Sequence, residues 1–307
     1  SIRPMKKNCL LCFLLFFSCH SALAGESLDS LLNVLDKTIK EADTYVQIKE
    51  NKLHELKKEA RKTPPFSVER YNLNNDIYLE YKAYSSDSAL HYLNENMLLA
   101  RQLNDKEREL KIQLELSYLL SSIGMYMEAA DILNSIDRQT LPSSLLGHYY
   151  TCYEHVYFEA GAAQPRYKMF ASRYVKLSHA YRDSMQIALD PSSATYLWLR
   201  ETQLREAGKY DEALEFSDRR LAESSFGTPQ YALVAYQRFR LFESMGKKDE
   251  HLYYLVLSAI SDVRSAIKEQ SSLMVLAQEL NSKGDLKRAY DYINCLLYTS
   301  DAADERS

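Results

Sequence analysis

The cysteines and histidines, which most often carry chemistry, form no recognised catalytic or metal-binding pattern in this sequence. The chain contains no phosphate-binding loop, Rossmann glycine cluster, cysteine pair or H-E-x-x-H motif. His148 and His155 are seven residues apart, which on a helix separates them by about 10 Å, too far for one zinc ion. Cys152 lies between them, and a lone cysteine without an activating partner is usually a small core residue. We therefore predict no catalytic residue, no metal, no cofactor and no enzymatic activity.

Tyrosine is unusually abundant among the residue types that suit binding, since the chain has 24 tyrosines and one tryptophan. Tyr150, Tyr153 and Tyr157 cluster on one predicted helix. Two interpretations stand. The rings pack neighbouring helical units together, or they line a concave face that binds a peptide, for which a rigid amphipathic ring is well suited. These three residues form the candidate partner-binding face.

The composition indicates a globular protein and argues against two classes. Hydrophobic residues make up 46% of the 307 residues and charged residues 26%. Eight glycines and seven prolines are few for the many turns of an all-β sandwich or barrel. The formal net charge of −4 gives no basic footprint for nucleic acid, whose phosphates require clustered lysine and arginine.

The first 24 residues have the pattern of a secretory signal peptide. Residues 1–4 precede a Met5 start with two lysines, and we interpret them as upstream translation. A short apolar run and the small residues Ala22-Leu23-Ala24 complete a signal peptide over 5–24. A transmembrane anchor is the alternative, but the short run spans about 14 Å of a bilayer core of about 30 Å. Lipidation at Cys19 is a further alternative, which the preceding bulky phenylalanines disfavour.

The other end resembles a translated sequencing adapter. The resemblance covers residues 295–305, so we expect 295–307 to be a non-native tail and the natural protein to continue beyond Asn294. A frayed polar tail is the alternative. Cys152 is the only cysteine within residues 25–294. An exported chain of this kind has no internal disulfide and depends on packing alone.

Five glycines recur at a regular spacing that predicts a repeat. The intervals between them are 37, 47, 38 and 38 residues, and self-similarity at such a period is typical of a helical array. The glycines are Gly124, Gly161, Gly208, Gly246 and Gly284. The first and third begin the same G-x-Y-x-E-A motif, which contains Tyr126 with Ala129 and Tyr210 with Ala213. A weaker copy ends at Ala289.

This motif has a local physical explanation. Glycine ends a first helix because it adopts a positive φ at no steric cost, and the small alanine lets the second helix approach closely. G-x-Y-x-E-A between two helices resembles the tetratricopeptide repeat (TPR). The resemblance implies an all-α, right-handed TPR-like solenoid of helical hairpins. Ser217 and Glu201 depart from the pattern, since a large and a small residue respectively are usual there.

Prolines and apolar periodicity divide the chain into helix pairs. A leading helical pair is predicted over 25–64, and a TPR-like solenoid over 65–294. Six pairs are predicted in the solenoid, the last one truncated: 65–103, 105–137, 142–186, 191–224, 228–264 and 266–294.

The order of these parts also resembles a family of exported TPR regulators of Bacteroidota. The resemblance rests on the signal peptide, the leading Leu28-Asp29-Ser30-Leu31-Leu32 helix and the degenerate repeats. It implies that one transmembrane helix, a coiled coil and a cytoplasmic signalling or DNA-binding end follow the repeats.

We therefore predict an exported module that binds a protein or peptide partner and is the periplasmic sensory part of a truncated, membrane-anchored regulator. The alternative is a free-standing periplasmic or lipid-anchored scaffold without a signalling role. No nucleic acid is expected to bind this region. Membrane contact is expected only through a missing C-terminal segment or a lipid anchor.

Overall fold

The chain is all-α in the computed structural model, which describes residues 27–163, 166–267 and 270–304, with side chains as far as residue 296. Over these residues it contains α-helices and one short 3-10 helix, and no strand. The fold class expected from the sequence is therefore confirmed. The interpretations placed on residues 1–4 and 5–24, including Cys19, lie outside the described residues.

Two leading helices precede six helix pairs. The leading helices are α1 (Leu28–Lys40) and α2 (Ala42–Ala60). The pairs are α3 (Val68–Tyr81) with α4 (Ser86–Gln102), α5 (Lys106–Ser122) with α6 (Tyr126–Ser135), α7 (Ser143–Ala162) with α8 (Lys168–Ala188), α9 (Ala194–Glu206) with α10 (Tyr210–Ala222), α11 (Pro229–Ser244) with α12 (Lys248–Arg264), and α13 (Ser271–Ser282) with α14 (Leu286–Asp304). The helices of each pair pack on each other, and each pair contacts the next, which makes a TPR-like solenoid.

The repeated glycines lie at the turns inside four of these pairs. Gly124, Gly208, Gly246 and Gly284 all have positive φ angles, between 71° and 89°. Ala129 and Ala213 are fully buried one turn into the second helix. Ser117 on α5 donates a hydrogen bond to the carbonyl of Ala129 at 3.0 Å. The turn and the close helix approach are therefore both built from the motif residues.

Gly161 has a different role from the other glycines of the series. It lies inside α7 with a helical backbone, so the turn assigned to it by its spacing is wrong. A Cβ atom at this position would lie 3.4 Å from Cβ of Tyr174 on α8. Gly161 therefore allows α7 and α8 to approach closely rather than reversing the chain.

The two leading helices lie within the predicted leading pair, residues 25–64, but each packs mainly on another part of the chain. They make few contacts with each other. Instead, α1 packs on α12 near the other end of the chain, and α2 packs on α3. The nineteen residues of α2 extend about 28 Å along the helix axis. α1 packs on α12 because its apolar residues Leu31, Leu32 and Leu35 join the buried cluster that contains Leu255 and Tyr292.

Polar contacts fix the register of α1 on α14. The Asp36 carboxylate accepts a hydrogen bond from Tyr292 Oη at 2.8 Å and one from Arg288 Nε at 3.1 Å. Arg288 also donates to Asn33 Oδ1 at 2.8 Å. Because about 250 residues of sequence separate these partners, α1 ties the beginning of the described chain to its last helix.

The docking of α1 predicts a large difference between two leucine substitutions. Leu35→Ala should lower the free energy of unfolding by about 2–5 kcal/mol, because Leu35 is fully buried and its loss leaves a cavity. Leu98→Ala is the control, since Leu98 is 55% exposed on α4 and should change stability by less than about 0.5 kcal/mol. Urea unfolding followed by circular dichroism measures both. Equal effects would contradict the docked position of α1.

Candidate functional site

A ladder of tyrosine rings fills the space between α7 and α8. Tyr153 stacks on Tyr181 with ring centroids 4.7 Å apart and an interplanar angle of 4°. Tyr157 stacks on both Tyr181 and Tyr174, at 5.7 and 6.2 Å. Offset stacking of this kind contributes beyond the area buried. The ladder therefore joins the two helices of the third pair.

The three tyrosines of the candidate partner-binding face differ in exposure. Tyr153 is buried, and its hydroxyl donates to Asn134 Oδ1 at 2.8 Å, so it serves packing. Tyr150 and Tyr157 are partly exposed, and the Arg138 guanidinium lies 5.7 Å from the ring centroid of Tyr150. The structure thus brings the three rings together on α7. Binding of a partner to Tyr150 and Tyr157 stays a prediction.

A second cluster, which we call the central seam, crosses the first helices of three consecutive pairs. Its centre is Glu115 on α5. This carboxylate accepts hydrogen bonds from Tyr78 Oη on α3 at 2.6 Å and from Nζ of Lys82, the residue after α3, at 3.1 Å. His148 Nε2 on α7 lies 3.7 Å from the other oxygen of Glu115. The seam residues are Tyr78, Lys82, Glu115, Tyr118, His148 and His155.

Aromatic contacts extend the seam along α5 and α7. The ring of His155 stacks on that of Tyr118 with centroids 3.9 Å apart. Lys82 Nζ lies 4.8 Å from the centroid of the same Tyr118 ring, within the range of a cation–π contact. His155 Nε2 also shares a 2.9 Å hydrogen bond with Ser122 Oγ. One lysine and one carboxylate therefore link three helix pairs.

Burial and neighbouring charges set the ionisation of the seam. Burial opposes the charge of Glu115, but Lys82 and His148 outweigh it and hold the pKa of Glu115 below its usual value. Burial lowers the pKa of His148, and Glu115 offsets part of this effect. Burial, with Lys82 nearby, lowers the pKa of His155 to about 4. Near pH 7 the seam therefore holds a Lys–Glu ion pair flanked by neutral imidazoles.

Cys152 lies beneath the seam and is fully buried. Its Sγ donates to the carbonyl of Leu114 at 3.3 Å, and burial raises the pKa of the thiol. A thiol without access to solvent or an activating base is a weak nucleophile. Among the described residues, no three histidine, cysteine, aspartate or glutamate side chains lie close enough to hold a metal ion.

The seam is the part of the site that sequence reasoning missed. Its signal lies in the numbering, because Lys82, Glu115 and His148 follow one another at intervals of 33 residues. They meet across three successive first helices, although Lys82 follows the end of α3, Glu115 lies in the middle of α5 and His148 in the first half of α7. In side-chain exposure, Lys82 is 34% and His148 28%, so the seam offers donors to a bound molecule.

The comparisons with known proteins agree with the helical-repeat architecture. A family model described as the SusR N-terminal TPR domain matches residues 39–306. No curated protein matches the chain. In the part of the chain that the structure describes, no helix combines the length and the apolar character needed to cross a membrane.

The low pKa of His155 predicts an acid-sensitive contribution to stability. The unfolded chain protonates this histidine near pH 6.5, whereas the folded chain protonates it only near pH 4. The stability that the fold gains from holding His155 neutral is therefore complete above pH 6.5 and is lost as the pH falls toward 4. Between pH 7.5 and pH 5 the loss should be about 2 kcal/mol.

The test compares urea unfolding at these two pH values in wild type and His155→Gln. The variant lacks the titrating ring, so its stability should fall less on acidification than that of the wild type. His54→Gln, at an exposed position on α2, is the matched control. An equal pH response in wild type and His155→Gln would show that His155 titrates normally in the folded chain.

Proposed function

Since this chain belongs to the family of SusR N-terminal TPR domains, we propose that it is an exported module that binds a protein or peptide partner and forms the periplasmic sensory part of a longer, membrane-anchored regulator. The family assignment makes it a helical-repeat module of the protein-interaction type. Such arrays present an extended surface built from several repeats rather than one closed pocket.

The central seam is the observation that carries this proposal. It places a lysine at the end of α3, a carboxylate on α5 and two histidines on α7 in one continuous line. An extended peptide can contact side chains from all three helices at once. A hydrophobic core has no need of a partly exposed ion pair flanked by imidazoles, whereas recognition of a polar chain uses such groups.

The position of α1 supports a mechanism for signalling. A partner that bridges three pairs restricts their relative movement. The array joins the seam to α14, and α1 and α2 join α14 back to α3. A change in the spacing of the pairs therefore reaches α14, the helix from which the proposed output segment continues. Binding and output are coupled in this proposal because both depend on the same packed array.

Site-specific photo-crosslinking in cells tests the binding surface. A benzoylphenylalanine at Lys82, in the seam, or at Tyr150, on the candidate partner-binding face, should give a crosslinked product of defined size, because both side chains are partly exposed. The same group at Asp131 or Glu215, exposed on the second helices α6 and α10, is the matched control. Crosslinks that are absent, or equally strong at the control positions, would contradict a partner on the seam. Tyr150→Ala should weaken capture without loss of fold.

An alkaline phosphatase fusion after Asn294 tests export. This reporter is active only where its disulfides form, outside the reducing cytoplasm. The fusion that carries residues 1–24 should be active, and the one that begins at Gly25 should not. Activity of neither fusion would remove the periplasmic part of the proposal and leave the binding surface to the crosslinking result.

A further inference from the structure

One segment of this acidic chain is strongly basic. Residues 160–182 contain five lysines and arginines and no aspartate or glutamate, although the whole chain has a net charge of −4. Arg182 is buried, and its guanidinium donates hydrogen bonds to Glu154 at 2.8 Å and to Glu206 at 2.9 Å. The other four basic residues are exposed, and none of them forms an ion pair within the described part of the chain.

This segment lies at the end of the longest helix pair. α7 and α8 have 20 and 21 residues, whereas α9 and α10 of the next pair have 13 each. At 1.5 Å per residue, the third pair is about 10 Å longer than its neighbour. The buried residues of α8 begin at Ser178, so the additional length lies at its beginning. We call residues 166–176 the hairpin tip.

The hairpin tip combines its charge with large apolar side chains that face solvent. Tyr167 is 65% exposed, Met169 75%, Phe170 45% and Val175 47%. Its basic residues alternate with them and are Arg166, Lys168, Arg173 and Lys176. α8 packs on α7 and only slightly on α9, and it makes no extensive contact with any other helix in the described part of the chain.

The chemistry of the tip fits a lipid surface better than a protein groove. Aromatic and methionine side chains enter the headgroup layer, and the surrounding lysines and arginines reach phosphates. A tip that extends beyond the neighbouring pair can meet a flat bilayer, and an open hollow on it is lined by Met169, Ser172, Arg173, Lys176 and Leu177. The charge selects anionic lipid, because zwitterionic lipid offers no net attraction to four cations.

We propose that the hairpin tip is a membrane-docking site that binds the surface of a bilayer rich in anionic lipid through Tyr167, Met169 and Phe170 together with its four basic residues. The contact is peripheral: the tip lies in the headgroup region and does not cross the bilayer. It does not depend on the proposed partner binding, because the seam and the tip share no residue. It would hold the array close to a membrane, in addition to any covalent or transmembrane anchor.

Vesicle co-sedimentation with the full chain tests the proposal. Vesicles of phosphatidylethanolamine with 30% phosphatidylglycerol should bind the protein at 0.1 M salt, and phosphatidylcholine vesicles should bind it at least tenfold more weakly. The triple change Lys168→Gln, Arg173→Gln and Lys176→Gln should reduce binding at least tenfold, since each basic residue contributes separately to attraction. The control replaces three exposed lysines elsewhere, Lys62, Lys283 and Lys287, by glutamine and should retain binding.

The apolar part of the site has a closely matched control. Tyr167→Ser with Met169→Ser should reduce binding at least tenfold. Phe66→Ser with Met127→Ser removes side chains of the same exposure, 65% and 75%, from other parts of the surface and should leave binding unchanged. Circular dichroism checks that all variants remain folded. Equal binding by tip and control variants, or equal binding to both vesicle types, would overturn the proposal.

A fluorescent probe reports where the contact lies. Phe170→Trp in a Trp198→Phe background places the only tryptophan of the chain in the tip. Its emission should shift to shorter wavelength with anionic vesicles and be quenched by brominated lipid. Phe66→Trp in the same background should do neither. If both probes are unaffected while the protein still sediments, the tip is not the contact, and an acidic protein partner for this surface becomes the competing explanation to examine.

Discussion

The fold depends on one constraint, which is that a helix pair cannot bury its apolar surface without a neighbour. Inside the array the next pair supplies that neighbour. At α12 the pairs alone are insufficient, and α1 provides the remaining cover. The buried residues of α12 run without interruption from Leu255 to Val263, which is possible only for a helix surrounded on all sides. The array is therefore closed by a helix from the other end of the chain, and Asp36 fixes its register on Arg288 and Tyr292.

Where neighbouring helix pairs share little apolar contact, buried ion pairs join them. The cluster around Leu204, Ala213 and Leu241 is the smallest of the four found in the described residues, and it lies beside two arginine networks. Arg220 on α10 donates to Glu201 on α9 at 2.6 Å, while Arg182 links α7 and α9. Removing one partner of a buried ion pair lowers the free energy of unfolding strongly, although the intact pair adds little stability relative to apolar side chains of the same size. These networks therefore determine the register of the helices more than the stability of the fold. They also explain Glu201, one of the two departures from the repeat pattern, because it is the buried partner of Arg220.

Much of the fold was predictable because the signals were local. A glycine with positive φ, a small alanine one turn later and an apolar stripe predicted the helix pairs. The helices of the structure fall inside the expected pair bounds except for α8, which ends at Ala188 instead of 186, and α14, which continues to Asp304. Gly161 was misassigned because spacing alone cannot distinguish a turn glycine from one that permits close helix contact. The docking of α1 was not predictable, since its partners lie about 250 residues away. The seam was missed because its signal is a 33-residue interval between unlike residues, which a search for identical motifs does not detect.

The α7–α8 pair is the longest of the array, with helices of 20 and 21 residues. Gly124 and Gly208 are 84 residues apart, eight more than two periods of 38. An array of this kind needs only the standard helix length to bury its core, so the additional residues have no neighbouring pair to pack on. The tyrosine ladder and Gly161 hold the extended hairpin together from within. The composition of its outer surface is then set by contacts outside the array, and a surface that is basic and apolar in an otherwise acidic chain is explained by a partner that is both anionic and apolar. A lipid bilayer has both properties over an area large enough for the whole tip.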